Sequence, residues 1–267
     1  AQMADLVRKV TVERGLDPRE YVLFSYGGAA SIHTGAFSPE LGVRKIVVPS
    51  TASVNGAFGI VTSDVIHEYP VTMHLPIPPD LNEVNRVFQE QEAKALSEMR
   101  KEGFSEDNIH FHRTLGLRFR LQMHEVLTPV PPGRITEEVL EGVYAEFAQL
   151  YERKHGKGSA YREAGMEIIS FHLRAVGKLP KPTLRTDVKA GPSPEKALIS
   201  RRSVSFDGKK HDTAVYRYDL LENGNEIEGP AIVATPITTI VIQPGQKAVL
   251  DAYKNVIIPL EEQRREP

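Results

Sequence analysis

The 267-residue chain contains no cysteine and no tryptophan. Without cysteine there are no disulfides, no thiolate metal sites and no cysteine nucleophile. No apolar run approaches the ~20 residues that a helix needs to span a bilayer. Neither sign of charge dominates: 33 Lys and Arg against 35 Asp and Glu leave a net charge of -2. No basic block points to nucleic acid or to an anionic membrane surface, so neither is expected as a partner. Internal repeats and low-complexity tracts are also missing. What remains, 40% hydrophobic and 25% charged residues, suits a chain that buries a real core as one large or two modest domains. A cytoplasmic protein is expected.

The most informative stretch is YVLFSYGGAASIHTGAFSPELGVRKIVVP, residues 21–49. It reads as a buried strand over 22–25, a glycine turn at Gly27 and Gly28, a helix carrying Ser31, Ile32 and His33, and a second buried strand over 45–48. A strand that enters a glycine turn and opens a helix can seat a phosphate-bearing ligand. Glycine lets the backbone approach closely, and the helix N-terminus offers unpaired N–H groups with a partial positive charge. The same pattern also serves plain packing. Before it, residues 3–15 form an amphipathic helix with Met3, Leu6, Val7 and Val10 on one face, stopped by Gly15.

Further along, an apolar helix-like stretch covers 53–65. The run PVTMHLPIPP alternates like an edge strand and then breaks at its prolines. Asp80 caps a long helix that ends at Gly103, and Thr136 caps another. Between them, HFHRTLGLRFRLQMHEVLTPVPPG reads as two strands. The strand EIISFHLRAVGKL follows. A Pro-, Lys- and Gly-rich linker over 180–194 leads into a β-rich unit whose first hairpin turns at Asp207-Gly208.

Three side-chain groupings suggest chemistry. His110 and His112, two apart on a strand, face one side at a spacing that suits a metal, with His124 and Glu125 as candidate completing ligands. Exposed strand histidines are commoner than ligands, and no metal site is assigned. Asp64 and Glu68 would stand side by side if the preceding helix continued that far, although solvated charge is the simpler expectation. A serine–histidine–acid triad finds no G-x-S-x-G setting.

The segments MADLVRKVTVERGLDP, FSYGGAASIHTGAFSPELGVRKIVVP, ASVNGAFGIVTSDVIHEY and EGPAIVATPITTIVIQPGQKAVLD together resemble the hydantoinase/oxoprolinase A family, in the same order and over essentially the whole chain. That family holds 5-oxoprolinase, ATP-dependent hydantoinases, and subunits of acetone and acetophenone carboxylases. The resemblance implies an α/β to α+β fold: the C-terminal part of an actin-like (RNase H-like) ATPase lobe over 1–69, a middle α/β domain over 70–185, and a β-rich domain over 186–267. It implies ATP with Mg²⁺, and nucleotide contacts from Gly27, Gly28, Ala29, Ser31 and His33. It also gives Arg118, Gln122 and Glu125 a role in substrate or subunit contact, through similarity to an Arg-Tyr-x-Gly-Gln-x-x-Glu segment.

Phe119 here replaces that tyrosine and Leu121 that glycine, while Ala30-Ser31 replaces a common Gly-Pro. The departures at Ala30-Ser31 and Leu121 sit better with a ketone carboxylase, which uses bicarbonate, than with 5-oxoprolinase. A cyclic-amide hydrolase and a non-catalytic structural subunit are the other readings. No Asp-Gly-Gly-Thr-type phosphate loop is present. The chain is therefore expected to complete its site with an N-terminal ATPase lobe or companion subunits, and to be inactive alone on its small carbonyl substrate.

Overall fold

The strand read from KIVV runs Lys45–Val48 (β2) and is paired on both sides by distant partners. On one side lies Leu23–Phe24 (β1), parallel to it; on the other lies Val256–Pro259 (β13), antiparallel. The structure, a computed structural model, describes residues 2–260. Over these the fold is mixed α/β with three sheets.

The described residues group into two units, 2–61 with 182–260, and Thr62–Lys181. This grouping cuts across the expected three-part division along the sequence, because the last strand of the β-rich tail completes the sheet begun by β2. The 180–194 segment is likewise tied down rather than loose. The Asp187 and Ala190 amides donate to Ala252 and Asn223, and the Asn225 side-chain amide donates to the Gly191 and Ser193 carbonyls.

In the discontinuous unit, Gln2–Val12 (α1) and Ala30–Leu41 (α2) accompany the β1-β2-β13-β12-β9 sheet. Here β9 is Glu226–Glu228 and β12 is Lys247–Leu250. A second sheet runs β11-β10-β8-β7, built from Leu198–Phe206 (β7), Lys209–Arg217 (β8), Ala231–Ala234 (β10) and Thr239–Ile242 (β11). The β7–β8 turn is Asp207-Gly208 with both φ positive, at 46° and 78°, the geometry that two-residue hairpins favour. Ile46, Val48, Leu221, Val233, Ile242 and Val256 are core residues here.

In the continuous unit, Val65–Pro76 (β3), Ile109–Phe119 (β4), Val126–Val130 (β5) and Met166–Gly177 (β6) make an antiparallel sheet in the order β3-β6-β4-β5. Leu81–Lys101 (α4) and Glu137–His155 (α5) pack on it through Phe88, Phe147, Leu115, Leu117 and Phe171. The caps are those the sequence announces: Asp80 accepts from the Asn82 N–H and Thr136 from the Val139 N–H.

The apolar stretch after β2 ends as a helix at Thr62 (α3, Asn55–Thr62). The chain then becomes β3, so Asp64 and Glu68 never share a helix turn. Glu68 pairs with Arg174, and Asp64 with Lys178 and Lys181. Hydrogen bonds from Lys181, Lys178 and the Leu179 N–H hold the Asp64 carboxyl well below the usual carboxylate range.

Candidate functional site

The turn between β1 and α2 is built by glycine. Gly27 has φ 98° and donates its N–H to the Ala52 carbonyl at 2.7 Å. A Cβ on Gly27 or on Gly28 would meet nothing within 4 Å, so the space over the turn is open. Ala29 is the N-cap of α2 without any side-chain hydrogen bond, and the first turn of the helix carries no acid. Backbone N–H groups and the positive end of the helix therefore face that open space without competition from a side-chain cap. Gly28, Ala29 and His33 are exposed and Gly27 is half-buried. Tyr26, more than half exposed, adds an aromatic face one residue before the glycines.

Ser31 departs from its expected role. It is 2% exposed, and its hydroxyl donates to the Thr239 carbonyl at 2.8 Å, which fastens α2 to β11. It cannot offer that hydroxyl to a ligand. Sequence reasoning missed Thr238, whose hydroxyl donates to the Gly28 carbonyl at 2.9 Å and steadies the turn from the loop before β11, 210 residues away. No local signal marks such a contact.

Arg118, Gln122 and Glu125 do not lie on one strand. β4 ends at Phe119, and Gln122 and Glu125 belong to the loop before β5. Arg118 and Glu125 line a common cleft with Lys154 and Ser170. Gln122 instead donates to the Tyr151 hydroxyl on α5 at 2.6 Å. Arg118 pairs with Glu167, which also meets His74 at 3.0 Å. Burial works to raise the Glu167 carboxyl, but hydrogen bonds from Arg118 and His74 outweigh it and hold the group below its usual value.

His110 and His112 border a different cleft from His124 and Glu125, so the four do not converge. Among the described residues no three His, Asp or Glu side chains gather as metal ligands.

Residues 79–262 match the family profile described as hydantoinase/oxoprolinase C-terminal domain, and residues 1–69 match the profile described as hydantoinase/oxoprolinase. The chain belongs to the hydantoinase/oxoprolinase family. The caprolactamase subunit alpha of Pseudomonas jessenii is 28% identical over 260 residues, 93% of this chain and 36% of that one. The acetone carboxylase beta subunit of Xanthobacter autotrophicus is 24% identical over 265 residues, 95% of this chain and 37% of that one.

A nucleotide-free acetone carboxylase structure, described as performing ATP-dependent acetone carboxylation, superposes with a TM-score of 0.87 at 24% identity. It covers 96% of this chain and 38% of that one, and the likeness is one of fold. The chain thus spans little more than a third of these hydantoinase/oxoprolinase relatives. Among the described residues no helix is long and apolar enough to cross a membrane.

Proposed function

We propose that this chain is the adenosine-side part of an ATP-dependent enzyme that activates a small-molecule carbonyl by phosphorylation, most simply a ketone carboxylase. The observation that carries the reading is the uncapped N-terminus of α2 behind the open Gly27–Gly28 turn. No side-chain cap competes at that helix end, and a side-chain-free turn admits a ribose or phosphate closely. Gly27, Gly28 and Ala29 hold the nucleotide, His33 stands one turn away on the exposed side of α2, and Tyr26 offers a surface to the base.

The transferred phosphoryl group needs Mg²⁺ and fixed donors around it. Those belong to the companion lobe or subunits in this reading, because the described residues gather no acidic cluster. A cyclic-amide hydrolase is the second reading, favoured by the similarity to a caprolactamase subunit. The two share the nucleotide step and differ in the carbonyl compound.

Gly28→Val tests the proposal. Its Cβ meets nothing within 4 Å, so the fold should survive. In the complete assembly, ATP affinity should fall roughly tenfold, the equivalent of about 1.4 kcal/mol. A folded Gly28→Val protein with an unchanged ATP dissociation constant would remove the nucleotide from this turn. The wild-type chain alone, given Mg²⁺-ATP, should release phosphate no faster than background.

A further inference from the structure

In the discontinuous unit, Asp212, Ala214 and Tyr216 alternate along β8 and so share one face of their sheet, with Arg201 of β7 directly opposite Ala214. That face borders a cleft of about 570 Å³. The segment 192–195 closes one side, and β9 brings Glu226 and Glu228 to another. Those two glutamates point the same way, because Ile227 between them is turned into the core. Glu195, Asp212, Glu226 and Glu228 thus line one cleft against the single guanidinium of Arg201.

Two of these acids are engaged: Asp212 pairs with Arg201 at 2.9 Å and Glu226 with Lys247 at 2.6 Å. Glu195 and Glu228 have no ion-pair partner among the described residues. Tyr216 adds an independent observation. It is 9% exposed, yet its hydroxyl makes no hydrogen bond among the described residues, where a buried hydroxyl normally has a partner. Unlike the Tyr144 hydroxyl, which is enclosed without a partner, that of Tyr216 keeps an opening, and Tyr216 lines the cleft. Burial raises the Tyr216 phenol above its ordinary value; Arg201 works to lower it, while Glu195 and Glu228 raise it further. Both unpaired acids are therefore felt at this hydroxyl.

The acids are spread around the cleft rather than gathered, and among the described residues no three form a metal-ion site. Pro194, Leu198 and Pro230 give the cleft apolar walls between the charges. Such a lining suits a cation whose charges are held apart on an apolar frame. We propose that this cleft binds an aliphatic diamine or polyamine in its ammonium form. Glu195 and Glu228 take the ammonium groups, the Tyr216 oxygen accepts an N–H bond, and the methylene chain covers the proline and leucine walls. An ammonium group carries donors only, which matches acceptors that have none of their own to meet. An anion is repelled, and a neutral chain leaves both carboxylates unpaired.

The test is carried out on the full chain without nucleotide, at neutral pH, by NMR of tyrosine labelled at the ring ζ-carbon. The chain has nine tyrosines, and the Tyr216 signal is the one lost in Tyr216→Phe. Cadaverine, pentylamine, pentanediol and Mg²⁺ are titrated separately. A saturable shift of the Tyr216 signal with cadaverine, at a Kd about fivefold below that of pentylamine, supports the site, as expected for one further ion pair that is partly exposed. Glu228→Gln should raise the cadaverine Kd by about the same factor, and added salt should raise it as well.

Glu228 is exposed, so its replacement should leave the fold intact. If Tyr216→Phe fails to fold, calorimetric titration of the wild type and of Glu228→Gln makes the same comparison. No saturable response to cadaverine overturns the site, and a trilysine peptide that binds where cadaverine does not would reassign the cleft to a basic protein segment. An equal response to pentanediol or Mg²⁺, pentylamine binding as tightly as cadaverine, or a Kd unchanged in the folded Glu228→Gln protein overturns it too. Nucleotide is absent throughout, so the result is independent of the Gly28→Val measurement.

Discussion

The Gln246 side chain, 4% exposed, donates from Nε2 to the Gly35 carbonyl 2.9 Å away, across 211 positions of sequence. Its Oε1 accepts from the Gln243 N–H at 3.1 Å. A single buried amide thus ties the middle of α2 to the turn after β11. Its position depends on Gly35 having no side chain. A Cβ there would lie 2.9 Å from Gln246 Oε1 and 3.2 Å from the Val241 carbonyl.

Gly35→Ala should therefore destabilise the protein although it replaces glycine in a helix. Helix propensity alone would favour alanine by about 1 kcal/mol. Overpacking against a main-chain oxygen costs about 1–3 kcal/mol and cannot be relieved by a rotamer change. The expected net loss is about 1 kcal/mol, measured as a lower urea midpoint at unchanged slope. A higher midpoint would show that α2 can shift away from β11.

Leu121 gives the opposite case. It stands at φ 68° and is fully exposed, so its side chain packs against nothing while its backbone occupies the left-handed region. The related Arg-Tyr-x-Gly-Gln-x-x-Glu pattern has glycine at this place, and the turn has kept the conformation that glycine suits. Leu121→Gly should raise stability by roughly 0.5–1 kcal/mol, the strain relieved less the extra unfolded-state entropy. Thermal unfolding of the two proteins decides it; a lower midpoint in Leu121→Gly would mean that the leucine is covered in solution.

Acid should act through Asp64. Its folded-state pKa is depressed by Lys181, Lys178 and the Leu179 N–H. Its contribution is accordingly present above the unfolded value of about 4 and is lost as pH falls through the folded one. The stability difference between wild type and Asp64→Asn should hold steady from neutral pH down to about pH 5, then close below about pH 4. Salt should narrow it at every pH, because the pair is open to solvent. Urea midpoints across that range provide the check, and a difference that widens on acidification would reverse the assignment.

Local signals carried much of the fold. The Lys45–Val48 strand, the caps Asp80 and Thr136, and the Asp207-Gly208 turn were all legible because each depends on neighbours in sequence. The helix read into 63–65 was not, since an apolar run alone cannot tell helix from strand. Pairing of Val65–Gly177 and its successors decided it. The discontinuous unit was hidden for the same reason: Val47 and Ile257 meet only in the folded sheet.

At the candidate sites, the glycine turn was visible but the burial of Ser31 was not, because Thr239 supplies it from far away. Gly116 was a missed opportunity. A glycine inside an alternating strand marks a close approach, and a Cβ at this one would collide with the Glu125 and Ser170 side chains.

The sheet order β1-β2-β13-β12-β9 also sets a timetable. As the chain leaves the ribosome, every strand from Val65 to Gly177 has its sheet partners before residue 182 is made. β2 must wait, with one flank of its apolar edge unpaired, for more than two hundred further residues before Val256–Pro259 arrives. Until then that edge is a place where a wrong strand can add. Vectorial synthesis thus favours the inserted unit and leaves the β1-β2-β13-β12-β9 sheet to close last.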